Sequence, residues 1–182
     1  MKIIGKKLKG LIEIEPTIFN DERGLFFESF NQNSFKDIGI DQNFLQDNQS
    51  FSKKGVIRGL HFQNDPNAQG KLVRTVKGKV LDVVVDIRRN SPTFGQWESV
   101  ILDSNIGNML WVPVGFAHGF AAIEDSIFLY KCTNIYNKES EAGILWSDET
   151  LNIDWCIYNP IVSSKDKNLP NFKEQIEKNK LF

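Results

Sequence analysis

Residues 55–63, together with Lys71, contain the side chains best suited to acid–base chemistry. His61 is one of two histidines in the chain, Arg58 lies three positions before it, and Lys71 follows after a short loop. A neutral imidazole near its ordinary pKa is a suitable general base. Two neighbouring cations can bind an anion and stabilise negative charge that develops on it. The segment predicts a site that removes a proton from an anionic, carbonyl-containing substrate.

A hydrogen-bonded core histidine is the alternative explanation of His61. Arg58 and Lys71 argue against it, because an unpaired buried charge is costly. A carboxylate on the far ring nitrogen would orient the imidazole and raise its basicity, and a tyrosine would be a suitable acid on the opposite face. Several aspartates and three tyrosines are available, so the residues by themselves leave both choices open.

Metal and nucleotide-cofactor motifs are missing from the sequence. Two histidines are too few for a three-histidine centre, and His61-Phe-Gln63 has glutamine where a His-x-His metal motif needs its second imidazole. The glycine-rich dinucleotide, Walker-type and Gly-x-Ser-x-Gly motifs are also missing. The sequence therefore predicts catalysis by its own acids and bases, with no metal and no cofactor.

Composition predicts a globular protein with one domain, residues 1–182. Hydrophobic residues make up 41% of the chain and charged residues 25%. The net charge of −1 gives no field that would attract nucleic acid or an anionic membrane. Cys132 and Cys156 form no metal motif or disulfide framework, and we expect Cys132 to be buried. No apolar run approaches membrane-spanning length, so the sequence predicts a cytoplasmic protein.

Short apolar runs between Gly, Pro and Asn turns predict a mainly β barrel or jelly roll with short peripheral helices. Strands are expected, among others, at 25–30, 71–76, 79–87, 97–102, 109–112, 126–136, 144–146 and 151–155. A helix is expected at 31–39, capped by Asn33 or Ser34, and another after Pro170. Residues 163–166 are expected to form a polar loop.

Strict alternation over residues 79–87 places Asp82 and Asp86 on the same face of a strand. An exposed sheet face commonly presents such a pair. The alternative is that at least one of them is a carboxylate of the active-site cavity.

The motifs together resemble one family, the dTDP-4-dehydrorhamnose 3,5-epimerases. The resemblance covers about residues 3–170 and includes Asp21-Glu-Arg-Gly, Gln46-Asp-Asn, Arg58-Gly-Leu-His-Phe-Gln, Gln69-Gly-Lys-Leu-Val, Pro113-Val-Gly-Phe-Ala-His-Gly-Phe, Phe128-Leu-Tyr-Lys and Ser164-Lys-Asp. It implies a cupin-like jelly roll, a homodimer and no metal or cofactor. The implied reaction is epimerisation at C3 and C5 of dTDP-4-dehydro-6-deoxy-D-glucose through an enolate, in dTDP-rhamnose biosynthesis.

The resemblance also implies individual roles. His61 is the expected base, Asp166 its carboxylate partner and Tyr130 the acid, while Lys71 lies near the enolate oxygen. Asp82 is expected to be a carboxylate that supports Lys71. The expected substrate contacts are Arg23, Glu28, Gln46, Asp47, Asn48, Arg58, His118, Tyr136 (stacked on thymine), Glu141 and Lys165.

Three alternatives stay open in the sequence. The first is a related enzyme: a monofunctional 3- or 5-epimerase, or a 3,4-ketoisomerase, acting on a similar dTDP-keto sugar. The second is a nucleotide-sugar binding module without catalysis, which would have no need of His61, Tyr130 and Asp166 together. The third is a metal-dependent oxygenase, which Gln63 disfavours.

Overall fold

Two antiparallel β-sheets pack face to face. The computed structural model describes residues 1–6, 8–178 and 181–182. The first sheet has the order β1-β2-β10-β7-β12-β5: Lys2–Gly5, Ile12–Glu15, Met109–Val112, Lys71–Lys77, Ser126–Cys132 and Gln46–Ser52. The second has the order β13-β6-β11-β8-β9: Glu141–Gly143, Val56–Gln63, Phe116–Ala122, Lys79–Asp86 and Trp97–Asp103, with β14 (Ile161–Val162) parallel to β6. β3 (Phe19–Asp21) and β4 (Gly24–Phe26) form a separate hairpin.

The helices are short and peripheral, as predicted. They are α1 (Gln32–Asp37), α2 (Ser164–Lys167) and α3 (Phe172–Glu177). Asn31 caps α1, so the prediction of Asn33 or Ser34 as the cap was wrong. The predicted polar loop at 163–166 is also wrong: Ser163 Oγ accepts a hydrogen bond from the Asp166 backbone N–H and so begins α2. None of the helices in the described ranges has the length and apolar character needed to cross a bilayer.

Apolar clusters cover both faces of each sheet. One lies between the sheets and includes Val73, Val84 and Phe128. Another lies outside the second sheet, where Leu151 and Trp155 pack against it. The predicted strands at 144–146 and 151–155 are therefore wrong: these apolar residues form turns that cover the sheet, outside any strand.

Two other strands are shorter than predicted. The expected strand at 25–30 is reduced to β4, which ends at Phe26, and the strand from Ser126 ends at Cys132. Cys132 is buried, as predicted.

Both aspartates of β8 are fully buried, which excludes the solvated-face interpretation. Asp82 and Asp86 each have 0% relative exposure. Asp82 hydrogen-bonds to His118. Asp86 accepts hydrogen bonds from the Arg88 guanidinium and from the hydroxyls of Ser91 and Thr93, and so fixes the loop that follows β8.

Asp86 is expected to make folding stability depend on pH. Burial acts against its ionisation, but hydrogen bonds from Arg88, Ser91 and Thr93 outweigh burial and lower its pKa from 3.8 to about 2. A lowered folded-state pKa contributes stability above pH ~4, and this contribution, about 2 kcal/mol, is lost as pH falls towards 2. Denaturant unfolding between pH 2 and 6 should show this loss in the wild type. Asp86→Asn should be less stable at pH 6 and should lose less on acidification; an unchanged slope would contradict the assignment.

Candidate active site

A bulge between β6 and β11 places two histidines side by side. His61 on β6 is directly opposite His118 on β11, and the register shifts immediately afterwards. Gly59 makes this possible: its φ is +136°, and a Cβ there would lie 2.6 Å from Gly119 Cα. Because directly paired residues project from the same face of a sheet, both imidazoles point to the same side.

His61 forms a dyad with Asp166. His61 Nε2 lies 2.7 Å from Asp166 Oδ1, and the Gly59 N–H donates to Asp166 Oδ2 over 3.4 Å. Asp166 is almost fully buried in α2. Burial opposes its ionisation, but the hydrogen bond and charge of His61 lower its pKa below the ordinary value. A carboxylate held in this way orients the imidazole and stabilises it when it becomes protonated.

Lys71 and Tyr130 approach from the opposite sheet. They lie on the neighbouring strands β7 and β12, and Lys71 Nζ is 3.5 Å from the carbonyl oxygen of His61. Burial lowers the pKa of Lys71 and raises that of Tyr130. β6 and β7 are adjacent in sequence but belong to different sheets. The His61 imidazole and the Lys71 ammonium group therefore approach each other from opposite sides of the interior.

His118 forms a second, deeper dyad with Asp82. His118 Nε2 lies 2.8 Å from Asp82 Oδ2. Burial raises the pKa of Asp82, although the charges of His118 and Lys71 act in the opposite direction. The support that Asp82 was predicted to give Lys71 is therefore electrostatic, and its hydrogen-bond partner is His118.

The cavity between the sheets has two lobes that share lining residues. The first, of about 370 Å³, is lined by His61, Asp166 and His118, and the second, of about 280 Å³, reaches Tyr136. Asn48, His61, Lys71 and Tyr130 line both lobes. The four predicted catalytic residues therefore share one cavity. Within the described ranges, no cluster of three or more His, Cys, Asp or Glu side chains is arranged to hold a metal ion.

The family follows from a comparison with known proteins. A family model described as dTDP-4-dehydrorhamnose 3,5-epimerase matches residues 5–174. The chain belongs to the dTDP-4-dehydrorhamnose 3,5-epimerase family. This confirms the family that the motifs predicted.

A curated relative and two solved structures are similar to this chain over 90% or more of their lengths. The dTDP-4-dehydrorhamnose 3,5-epimerase of Shigella flexneri is 51% identical over 174 residues, which cover 94% of this chain and 96% of the relative. The crystal structure of the Legionella pneumophila epimerase, in complex with dTDP-4-keto-L-rhamnose, has a TM-score of 0.93 and 45% identity, covering 99% of this chain and 96% of that one. A 3'-monoepimerase from Streptomyces bikiniensis, in complex with dTDP-quinovose, has a TM-score of 0.90 and 31% identity, covering 97% and 90%. The predicted mainly β jelly-roll fold is confirmed.

Most substrate contacts expected from the family line the cavity. In the first lobe they are Asn48, Arg58, His118 and Lys165. In the second they are Gln46, Asn48, Tyr136 and Glu141. Three of them form a chain at the opening: Lys165 Nζ lies 2.5 Å from Glu141 Oε1, and the Tyr136 hydroxyl donates to Glu141 Oε2 over 3.1 Å. Burial opposes ionisation of Glu141, but Lys165 lowers its pKa.

Three expected contacts lie outside the cavity of this chain. Arg23 is on the exposed β3–β4 hairpin and pairs with Asp21 at 2.6 Å. Glu28 accepts hydrogen bonds from Asn31 and Ser34 beside α1. Asp47 lies between Gln46 and Asn48, whose side chains point into the cavity, and because side chains alternate along a strand it points to the outer face of β5. There it pairs with Lys131. Their nucleotide contacts stay predictions.

The cavity is also lined by residues for which no role at the site was predicted. In the first lobe these include Gln49, Ser50 and Ser163. In the second they include Gln63 and Gln69, both of which belong to the family motifs. Alternation along β5 could have indicated Ser50, which shares its face with Asn48. Ser163 lines the cavity as the N-cap of α2, a helix that the sequence did not predict.

Proposed function

We propose that the protein epimerises dTDP-4-dehydro-6-deoxy-D-glucose at C3 and C5 to give dTDP-4-dehydro-L-rhamnose. Family membership supports the substrate class and the isomerase activity. The observation that carries the proposal is the single cavity in which the His61–Asp166 dyad faces Lys71 and Tyr130. Neither a core histidine nor a simple binding module would require this arrangement.

The C4 ketone makes the protons on C3 and C5 acidic. His61 removes one of them, and the negative charge passes to the C4 oxygen, which gives an enolate. Lys71 stabilises this oxygen by its positive charge, an interaction that strengthens as the charge develops. Tyr130 then donates its proton to the opposite face of the carbon, which inverts the configuration.

The proton balance requires exchange with solvent. Each inversion leaves His61 protonated and Tyr130 deprotonated, so His61 must release a proton and Tyr130 must regain one before the second carbon reacts. The raised pKa of Tyr130, which burial causes, favours its return to the protonated acid at neutral pH. The proton placed on each inverted carbon therefore comes from Tyr130 and, through it, from water.

The nucleotide base is proposed to occupy the second lobe, and the diphosphate the part of the first lobe that Arg58 and Lys165 line. Arg58, whose guanidinium is oriented by Ser52 Oγ and the Phe51 carbonyl, is placed to bind the diphosphate together with Lys165. Tyr136 is half-exposed beside the second lobe, where its ring can stack on thymine.

We also propose a homodimer. Phe19, Leu25 and Phe26 of the β3–β4 hairpin are exposed, and so is Phe51 on β5, the edge strand of the first sheet. Exposed apolar side chains and an open edge are typical of a surface that another chain covers. A second copy could then bring Arg23 to the cavity. Light scattering should give twice the 20.8 kDa chain mass; a monomer at micromolar concentration would contradict this proposal.

We propose a cytoplasmic location, because both cysteines, Cys132 and Cys156, are free thiols, as is usual in a reducing compartment.

A monofunctional epimerase is the second candidate. The Streptomyces bikiniensis 3'-monoepimerase, with a TM-score of 0.90 to this chain, shows that this fold also occurs in an enzyme that inverts one carbon. Inversion at C3 alone would use the same base, acid and enolate.

Incubation with dTDP-4-dehydro-6-deoxy-D-glucose in D₂O, followed by NMR, tests the proposal. We expect deuterium at both C3 and C5. Label at one carbon would indicate the monofunctional enzyme, and a migrated ketone would indicate a 3,4-ketoisomerase. Tight dTDP binding without turnover would indicate a binding module. Activity after chelation and dialysis tests the prediction that no metal is needed.

A further inference from the structure

Three glutamine side chains bind the backbone of the loop that carries Tyr136. They are Gln46 on β5, Gln63 at the end of β6 and Gln69 just before β7, and we call them the glutamine trio. They come from three separate parts of the chain and meet residues 134–137, which follow the end of β12. Gln63 and Gln69 have no role in the reaction proposed above.

Together the trio binds four consecutive residues. The Gln69 amide donates to the carbonyl of Asn134 over 2.7 Å. The Gln63 amide donates to the carbonyl of Ile135 over 3.3 Å, and its oxygen accepts from the Asn137 N–H over 2.7 Å. Gln46 Oε1 accepts from the Tyr136 N–H over 2.7 Å. Side-chain amides can do this because each carries both a donor and an acceptor.

Gln63 is committed to this task. It is 4% exposed, and its amide also donates to the Asn67 carbonyl over 2.6 Å. Both of its N–H groups and its oxygen are therefore engaged by backbone, which leaves no donor for a ligand even though the side chain borders the second lobe. Its contribution to binding must then be made through the loop.

Tyr136 is fixed at two points as a result. The trio binds its backbone and that of its neighbours, and Glu141 accepts from its hydroxyl. The ring between these points remains half-exposed beside the second lobe. A ring that is already oriented loses less entropy when a planar ligand stacks on it.

We propose that Gln63 and Gln69 are positioning residues that set the affinity for the nucleotide base by orienting Tyr136. This inference rests on the proposed function, since it takes the base as the group that Tyr136 contacts. The positioning acts on binding and leaves the His61–Asp166 dyad untouched. Loss of this positioning should therefore raise KM and leave kcat nearly constant.

Replacing Gln63 with leucine tests this. We expect the Kd for dTDP and the KM for the keto sugar to rise about tenfold, the effect of one to two hydrogen bonds, with kcat within twofold of wild type. The matched control is Asn108→Leu, because Asn108 is also buried, its amide donates to the Ile101 carbonyl and its oxygen accepts from the Asp103 N–H, away from the loop. Asn108→Leu should lower Tm similarly and leave dTDP affinity unchanged. Equal losses of dTDP affinity in both variants would overturn the inference.

A double-mutant cycle separates positioning from direct contact. In a Tyr136→Ala background, adding Gln63→Leu should cause no further loss of dTDP affinity, because the ring that Gln63 orients is already gone. Additive losses would overturn the inference in favour of a direct contact. Pyrophosphate, which has no base, should bind wild type and Gln63→Leu equally. If wild type itself fails to bind dTDP, the proposed function fails, whereas normal dTDP binding by Gln63→Leu overturns only the role of the trio.

Discussion

Replacing His61 with alanine is expected to lower kcat by a factor of about 10²–10⁴, the usual contribution of a positioned general base. The reason is the dyad: His61 Nε2 is 2.7 Å from a buried carboxylate that keeps the ring oriented towards the cavity. The loss should appear in kcat rather than in dTDP affinity, because His61 acts on the sugar ring, whereas the nucleotide is proposed to be bound by Arg58, Lys165 and Tyr136. Steady-state kinetics and dTDP titration measure the two quantities separately.

Asp166→Asn is the companion variant. An asparagine keeps the size of the side chain but offers the imidazole no charge, so we expect an intermediate loss of kcat. Deuterium exchange at C3 and C5 should slow in step with turnover in both variants, since proton removal is the step affected. A His61→Ala enzyme that binds dTDP normally and turns over within tenfold of wild type would refute the assignment of His61 as the base.

Sequence patterns predicted which residues of β12 share a face, because this strand alternates strictly. Along β12, Phe128, Tyr130 and Cys132 point to one face, as their even spacing indicated. Short spacing between His61 and Lys71 also indicated that they would be close. That they approach from different sheets could not be read from spacing, because it depends on how the sheets pack.

Predictions failed where tertiary packing decides the local structure. For Asp82 and Asp86 the pattern left a solvated sheet face and a buried role open. Both are buried, because His118 and Arg88, which lie outside β8, supply their partners. The apolar residues around Leu151 and Trp155 fit strands, but they cover the second sheet from irregular turns. A single strand's pattern specifies two faces; it does not specify what covers each face.

Family motifs identified the site residues more completely than residue chemistry did. Asp166 could not be chosen among the aspartates by local pattern, since α2 brings it to His61 over 105 positions of sequence. The motifs did choose it, and the structure places it at hydrogen-bond distance. The same motifs named Arg23, which this chain holds on an exposed hairpin outside the cavity, because a motif carries no information on where the fold places a residue.

Lys71→Met is expected to lower kcat by about 10²–10³, a loss typical of removing one group that stabilises an oxyanion. Methionine has a similar shape and no charge, so the C4 oxygen loses its cation while the cavity stays filled. The fold should not weaken, because burying an ammonium group is itself unfavourable. A kcat loss with an unchanged or higher Tm would distinguish this electrostatic role from structural damage, and Lys71→Arg, which keeps the charge, should retain more activity than Lys71→Met.

The pH dependence of kcat gives the second signature of Lys71. Burial lowers its pKa below the ordinary value of 10.5, and the protonated form is the one that stabilises the enolate. Activity should therefore fall as pH rises through this lowered pKa, at a less alkaline pH than an ordinary lysine would give. The Tyr130 pKa is raised by burial, so loss of the tyrosine proton should begin at a higher pH. Lys71→Met should lose the first alkaline decline, and a decline that persists unchanged in this variant would assign it to another group.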